Sequence, residues 1–239
     1  MAVKQVQSAA RVLATFEALA HHQPVGVGAL ARVLDDDKSA VQRALMTLAE
    51  AGWIRRTPAD DAQWEVSSHV LALAHGAQRR ISLRERAHAT LEALRDESGE
   101  TTILSVADGG QVVVLDVVES NQLVRTVPVV GLVVPALTSA ASQAILAHLP
   151  TAELAAFLGA PPESAFVKRL ATVRQRGWSV NDRNSSPGAS AVGAPILRAD
   201  GSPLGSITIS APAERMPAKT IEALGAQVVA AARRLSALV

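Results

Sequence analysis

The apolar pattern of the chain changes period near Thr101, and that change limits the fold more than any other feature. Up to Ser98, apart from a short stretch around Trp53 to Val66, apolar residues recur three and four apart. From Thr101 they run in short valine-rich blocks, with Gly109-Gly110 between two of them. Such a chain folds as a helical first part followed by strands with helices packed on them. With 239 residues, 49% of them hydrophobic, it can bury a sizeable core and is expected to divide into two domains. No apolar run reaches the length needed to span a bilayer, and MAVKQVQSAARVL lacks the apolar core of a secretory signal, so a cytoplasmic protein is expected. The chain has no cysteine, which removes disulfides, thiolate nucleophiles and thiolate metal sites. Its six histidines are not at ligand spacing, and neither metal nor cofactor is expected.

The spacing predicts a first helix over Ser8 to His21, with Ser8 as its N-cap and Val12, Leu13, Phe16, Leu19 and Ala20 on its apolar side. HHQPVGVG breaks the pattern, and Ala29, Leu30, Val33 and Leu34 then make the stripe of a second, shorter helix. Asp35, Asp36 and Asp37 follow. Val41, Ala44, Leu45 and Leu48 mark the buried side of a third helix ending near Ala51, with Gly52 past its last turn.

The outward side of that third helix carries Ser39, Gln42, Arg43 and Met46 at spacings of three and four. Glutamine can pair with adenine and arginine with guanine through two bonds each, the chemistry of a recognition helix in a major groove. Two strands are expected next, Trp53 to Arg56 and Gln63 to Val66, joined by the turn Thr57-Pro58-Ala59-Asp60-Asp61. This hairpin has the form of a wing, and Arg55 and Arg56 would meet the phosphate backbone beside Lys38. Three helices with Arg and Gln on a solvated side are otherwise only a small helical domain; the wing that follows them favours DNA. The net charge of +1 means that such contact depends on local placement. The aspartates are explained as turn and cap, Asp37 accepting from the first-turn N–H groups.

Val70, Leu71 and Leu73 suggest a short connecting helix, Gln78-Arg79-Arg80 a polar break, and Leu83 to Ser98 a long amphipathic helix. Strands are expected at Thr101 to Ala107, Gln111 to Val118, Val124 to Val129, Trp178 to Asn181, Ala191 to Leu197 and Leu204 to Ser210. Helices are expected at Ser139 to His148, Thr151 to Leu158, Glu163 to Arg176 and Ala218 to Leu238. The order indicates an antiparallel sheet with helices packed on it, an α+β domain. The expected divisions are residues 1–67, a connecting helix and hinge over 68–81, and 82–239.

The start of the helix after Thr138 leaves N–H groups without internal partners, which attract a carboxylate. Ser139 opens it, Ala140 and Ala141 let a ligand approach the backbone, and Thr208 and Ser210 place two hydroxyls on one face of a strand. Serine or threonine at a helix start is ordinarily a cap, and hydroxyls paired on a strand are often solvated or bonded to a neighbour.

Three stretches together resemble the IclR family of bacterial transcriptional regulators. KSAVQRALMTL resembles part of its winged helix-turn-helix, while VGLVVPALTSAASQAILAHLP and RGWSVNDRNSSPGASAVGAPILRADGSPLGSITISAP resemble its effector-domain motifs. The resemblance implies a GAF-like ligand-binding fold for the second domain, a pocket for a small organic acid, and a dimer or dimer of dimers. Matching the motif adds Asn181, Ala189 and Ala191 to the pocket wall. Many relatives have histidine, glycine and lysine where this chain has Leu137, Ser142 and Gln143, and some have aspartate in place of Asn181. The pocket here should be less charged and able to take a larger acid, including an aromatic one.

The expectation is a cytoplasmic, ligand-responsive regulator reading an approximately palindromic double-stranded operator, with repression as the default sign. A sensor acting through protein contacts without DNA is the alternative that the acidic block keeps open. An enzyme is not expected, because no GxSxG, HExxH, Gly-Lys phosphate loop or complete GxGxxG is present. His88 and His148 read as surface histidines, and Trp178 is expected beside the pocket.

Overall fold

In the computed structural model, which describes residues 6–58, 62–75, 78–181 and 188–238, the chain forms two units dividing between Gln78 and Arg79, so the long helix that precedes the change of period near Thr101 belongs to the second unit. The first unit runs α1 (Gln7–His22), β1 (Val25–Gly26), α2 (Val27–Leu34), α3 (Lys38–Glu50), β2 (Ile54–Arg56), β3 (Gln63–Val66) and α4 (His69–His75). Leu19 of α1, Leu30 of α2, Val41, Leu45 and Leu48 of α3, and Ile54 and Trp64 of the hairpin bury one another in a single core. Each fully buried leucine contributes about 1.5–3 kcal/mol of transfer free energy. Ser8 is not the cap of α1: the helix begins one residue earlier, Val6 holds the capping position without a side-chain bond, and Ser8 lies within the first turn. The two-residue strand β1 is too short for periodicity to reveal. It pairs Val25 with Trp64 and Gly26 with Gln63, so the wing has three strands in the order β1-β3-β2. The turn residues Ala59, Asp60 and Asp61 lie outside the described residues.

The second unit begins with α5 (Gln78–Ser98) and continues through β4 (Thr101–Asp108), β5 (Gln111–Val118), β6 (Val133–Val134), α6 (Ala140–Leu146), α7 (Thr151–Leu158) and α8 (Ser164–Arg176). It closes with β7 (Ser179–Val180), β8 (Ala189–Leu197), β9 (Pro203–Pro212), a short 3-10 turn (Ala213–Arg215) and α9 (Ala218–Ser236). Gln78, Arg79 and Arg80 are the first turn of α5 rather than a polar break. Glutamine and arginine are good helix formers, so charge alone does not mark a boundary.

The six strands form one antiparallel sheet in the order β6-β5-β4-β9-β8-β7. One face carries α5 and α9, whose Leu91, Leu94, Val228 and Leu235 bury with Leu104, Val192, Ile207 and Ile209 of the strands. The other face carries α6, where Ala141 and Ile145 pack on Val112. A register shift between Leu104 and Ser105 pairs them with Asp116 and Val114, leaving Leu115 as an extra residue in β5. A bulge of this kind bends the strand and increases its local twist.

The expected strand Val124 to Val129 is absent. That stretch is irregular, and the strand added beyond β5 is Val133–Val134. Alternating β-branched residues resemble a strand, but Pro128 lacks a donor and the backbone is held by side chains instead. Thr101 Oγ1 donates to the Thr126 carbonyl at 2.8 Å, Thr126 Oγ1 to the Ser210 carbonyl at 3.0 Å, and Arg215 Nη1 to the Val124 carbonyl at 2.9 Å. Arg215 is itself fixed by two 2.6 Å bonds to the Glu100 carboxylate.

The tightest approach within the sheet is at Gly205, where an added Cβ would stand 2.6 Å from the Ser105 carbonyl oxygen. That oxygen cannot move aside without disturbing the β4–β9 ladder. Gly205→Ala should therefore cost about 1–3 kcal/mol, read as a lower denaturant midpoint with an unchanged slope; an unchanged midpoint would show that the ladder yields freely.

Candidate functional site

The α2–α3 turn assigns each aspartate a separate task. Asp35 adopts the left-handed conformation (φ 49°) that ends α2. The Asp36 carboxylate accepts from the Asp37 N–H at 2.8 Å and from Arg11 Nε at 2.7 Å. Asp37 caps α3: its Oδ2 accepts from the N–H groups of Ser39 and Ala40 at 3.1 and 3.2 Å, and also from the Ser39 hydroxyl. These contacts hold both carboxyls below the usual range, Asp37 chiefly through the Ser39 hydroxyl and Asp36 chiefly through the Asp37 N–H. The acidic block thus shapes the turn that sets the pitch of α3.

With Ala40, Val41, Ala44, Leu45 and Leu48 buried, α3 presents Lys38, Ser39, Arg43 and Met46 to solvent, and Gln42 is half-buried at the edge of that face. Arg43 Nη1 donates to Ser39 Oγ at 3.2 Å. Lys38 and Arg43 form no ion pair among the described residues. The wing arginines are engaged differently: Arg55 Nη2 lies 2.7 Å from Glu65, and the Arg56 guanidinium stacks 3.8 Å above the Trp64 ring. Helix α3 therefore offers the less committed cations, and Arg55 would have to exchange a carboxylate for a phosphate.

In the second unit, Ser139, Ala140, Ala141, Asn181, Ala189, Ala191, Thr208 and Ser210 all border one cavity of about 430 Å³. Strands β4, β8 and β9 form its floor, the start of α6 one wall, and Thr126, Val127, Pro128 and Leu132 of the irregular segment another. No charged side chain lines it among the described residues. The residues differ in how free they are. Ser139 Oγ accepts from the Ser142 N–H at 3.1 Å and donates to Ser142 Oγ at 2.8 Å, which makes it the cap of α6. Asn181 bonds β8 at both ends of its amide, accepting from the Ala191 N–H at 2.8 Å and donating to the Ala189 carbonyl at 3.3 Å. An aspartate could not make that second bond. Thr208 Oγ1 and Ser105 Oγ, by contrast, are buried without a partner. Ser190, which also borders the cavity, has a buried hydroxyl without a partner as well. Unsatisfied buried hydroxyls are costly, so such a group at one cavity marks where polar ligand atoms would be stabilised.

Sequence reasoning missed Ser105, Thr126 and Pro128. Thr126 and Pro128 were hidden by the strand expected there, and Ser105 by a valine-rich block in which one serine carries little signal. Gln143 braces the wall from behind, donating to the Thr138 and Val180 carbonyls at 3.2 and 3.3 Å. Trp178 is not at this cavity: its indole packs on α9 at Gly225, where an added Cβ would stand 2.6 Å from the ring. His88 is not a bare surface histidine either. Its Nδ1 is 2.7 Å from Asp116, which is only 2% exposed and also accepts from Arg84 Nε at 3.2 Å. A buried carboxylate requires such partners, and periodicity cannot see a pairing between a helix and a strand. Among the described residues no group of three or more His, Asp or Glu side chains is placed to hold a metal ion, and no helix is long and apolar enough to cross a membrane.

A wing beside an exposed helix face, followed by a helix-capped cavity on an antiparallel sheet, has a direct counterpart among known proteins. The model of the IclR helix-turn-helix domain matches residues 8–58, and that of the bacterial transcriptional regulator IclR C-terminal domain matches residues 75–237. The chain belongs to the IclR family. The HTH-type transcriptional regulator BhcR of Paracoccus denitrificans is 30% identical over 220 residues, covering 87% of this chain and 78% of that protein. The acetate operon repressor of Salmonella typhimurium is 27% identical over 246 residues, covering 97% and 89%. Among solved structures, Pseudomonas aeruginosa HmgR superposes with a TM-score of 0.72 at 26% identity, over 98% of this chain and 99% of that one. Thermotoga maritima IclR gives 0.71 at 23% identity and supports the shared fold. This IclR-family chain is accordingly a transcriptional regulator with an N-terminal helix-turn-helix domain and a C-terminal effector domain, and the relatives are regulators rather than enzymes.

The depressed carboxyls of the α2–α3 turn stabilise the fold above the ordinary carboxylate range, and that stability is lost as pH falls through their folded-state values. Asp37→Ala should consequently lower the thermal midpoint at neutral pH, with the gap from wild type closing in acid. A gap that stays constant with pH would assign the effect to something other than the carboxylate cap.

Proposed function

We propose that this protein is a ligand-responsive regulator, a repressor by default, that binds an approximately palindromic operator as a dimer or pair of dimers and responds to a small organic acid. The observation that carries the sensing half is the cavity with Thr208 and Ser105 hydroxyls unpartnered in it. Those hydroxyls, with Ser210 and the N–H groups at the start of α6, can donate to a carboxylate without any fixed cation. Val114, Val127, Pro128 and Leu132 around them suit an apolar or aromatic body. For such an acid to act on DNA it must bind one arrangement of the protein better than another. The acetate operon repressor of Salmonella typhimurium, a relative covering nearly this whole chain, is by name a repressor.

The DNA half rests on α3. Ser39, Gln42, Arg43 and Met46 would face base edges, and Lys38, Arg55 and Arg56 phosphates. The acidic turn no longer favours a sensor without DNA, because the carboxylates of Asp36 and Asp37 are occupied by Arg11 and by the cap of α3.

Binding to labelled DNA from upstream of the gene tests this reading. The double variant Gln42→Ala, Arg43→Ala should lose specific affinity by roughly ten-fold or more, at about 1–3 kcal/mol per base contact. Arg55→Ala should weaken specific and nonspecific DNA alike and reduce the salt slope by about one. Equal specific binding by the double variant would remove α3 as the reader.

A further inference from the structure

The effector domain contains another concavity, of about 420 Å³, at the far end of β8. Strand β7 pairs only with Val192 and Gly193, so β8 has no outer neighbour from Ala194 onward. Pro195 blunts that bare edge by lacking an N–H, and the Leu197 N–H is taken up by Ser236 Oγ at 2.9 Å. The last turns of α9 and the His148 ring stand across the gap. Ala194, Leu197, Val229 and Ala232 give the cavity apolar walls, Arg198 and Arg233 contribute exposed cations, and no acidic side chain lines it among the described residues.

Its electrostatics are one-sided. The Arg233 guanidinium makes no hydrogen bond or ion pair among the described residues. Arg198 bonds Ser202 Oγ and the Pro203 carbonyl through Nη1, at 3.3 and 3.2 Å. The neighbouring Asp200 carboxylate is already satisfied by the Ser202 N–H and hydroxyl, at 2.9 and 2.6 Å. His148 Nε2 is buried without a partner. Burial, and then the Arg174 charge, push its proton affinity down, while Arg174 itself is held by the Ala147 carbonyl at 2.6 Å. Arg198 and Arg233 thus make this end of the cavity positive, offset in part by the exposed Asp200 carboxylate that acts on Arg198.

We propose that this cavity is a second ligand site, for a small organic acid whose carboxylate lies between Arg198 and Arg233 and whose apolar body fills the Val229–Leu197 side. Guanidinium groups suit a carboxylate, and walls of this kind would be left unfilled by a bare inorganic anion. The site also borders the end of α9. Ser236 and Ala237 line it, and the carbonyl of the next residue, Leu238, accepts from Arg86 Nη1 of α5 at 3.0 Å. An occupant there would bear on the helix that follows the DNA-binding unit, independently of the first cavity.

The test uses the full chain labelled with carbon-13 at histidine Cε1, with the His148 signal assigned by its loss in His148→Gln. Titrations with benzoate, hexanoate and inorganic phosphate should show a saturable change at His148 with the two carboxylates and a weaker one or none with phosphate. Because a bound anion beside the imidazole favours its protonated form, its titration midpoint should rise by about half a pH unit or more. The response should vanish in Arg198→Gln, Arg233→Gln and persist in Ala191→Leu, which fills the first cavity. The proposal is overturned by an unchanged His148 signal at millimolar carboxylate, by a phosphate response as strong as that to benzoate, by a response that survives loss of both arginines, or by one abolished in Ala191→Leu.

Discussion

Helix α6 can rest on the sheet because position 193 has no side chain. A Cβ there would stand 3.1 Å from both the Ala140 carbonyl oxygen and Thr208 Oγ1, tighter than ordinary contact. Ser179 uses the same closeness, donating to the Ala140 carbonyl at 2.6 Å and to the Gly193 carbonyl at 3.1 Å. The start of α6 is thereby pinned to β7 and β8, and the cavity is the space left beside it, floored by β4, β8 and β9 and covered by the segment that Thr126 ties to Thr101 and Ser210. Were α6 lifted, Thr208 would face bulk water and the cavity would lose a wall.

The bulge in β5 bears on how occupancy could be communicated. Without an extra residue, Val114 and Asp116 would lie on one face, since side chains alternate along a strand. With it, Val114 follows Ser105 into the cavity and Asp116 follows Leu104 to the opposite face, where it holds Arg84 and His88 of α5. One strand thus touches the cavity on one side and the long helix on the other. The Asp116 carboxylate is buried although Arg84 and His88 are half exposed, and losing those partners would leave its charge uncompensated, so Asp116 ties α5 to β5.

Much of this was legible from residue spacing. The helices of the first unit, the wing, the Gly109-Gly110 hairpin and the helices flanking the sheet follow from period and turn chemistry, and Asp37 follows from capping. Of the cavity residues, Ser139, Ala140, Ala141, Thr208 and Ser210 follow from a helix start and strand alternation, whereas Asn181, Ala189 and Ala191 came from a family resemblance, because small residues carry no chemistry of their own until a fold sets them side by side. What stayed hidden depends on contacts distant in sequence. Val124 to Val129 has a strand's alternation but no open edge to join, β1 is two residues long, Trp178 follows Gly225 onto α9, and His88 meets Asp116 only because a bulge turns that carboxylate toward it.

The central claim is that a ligand in the first cavity changes operator affinity. The most direct measurement is the Kd of the full chain for its upstream DNA, with and without a series of small aliphatic and aromatic acids, in wild type and in Ala191→Leu. The account predicts that at least one acid alters the wild-type Kd, while the variant binds DNA normally in its absence and no longer responds to it. An acid that acts equally on both proteins, or no response to any acid by a wild type that binds its operator specifically, would contradict it.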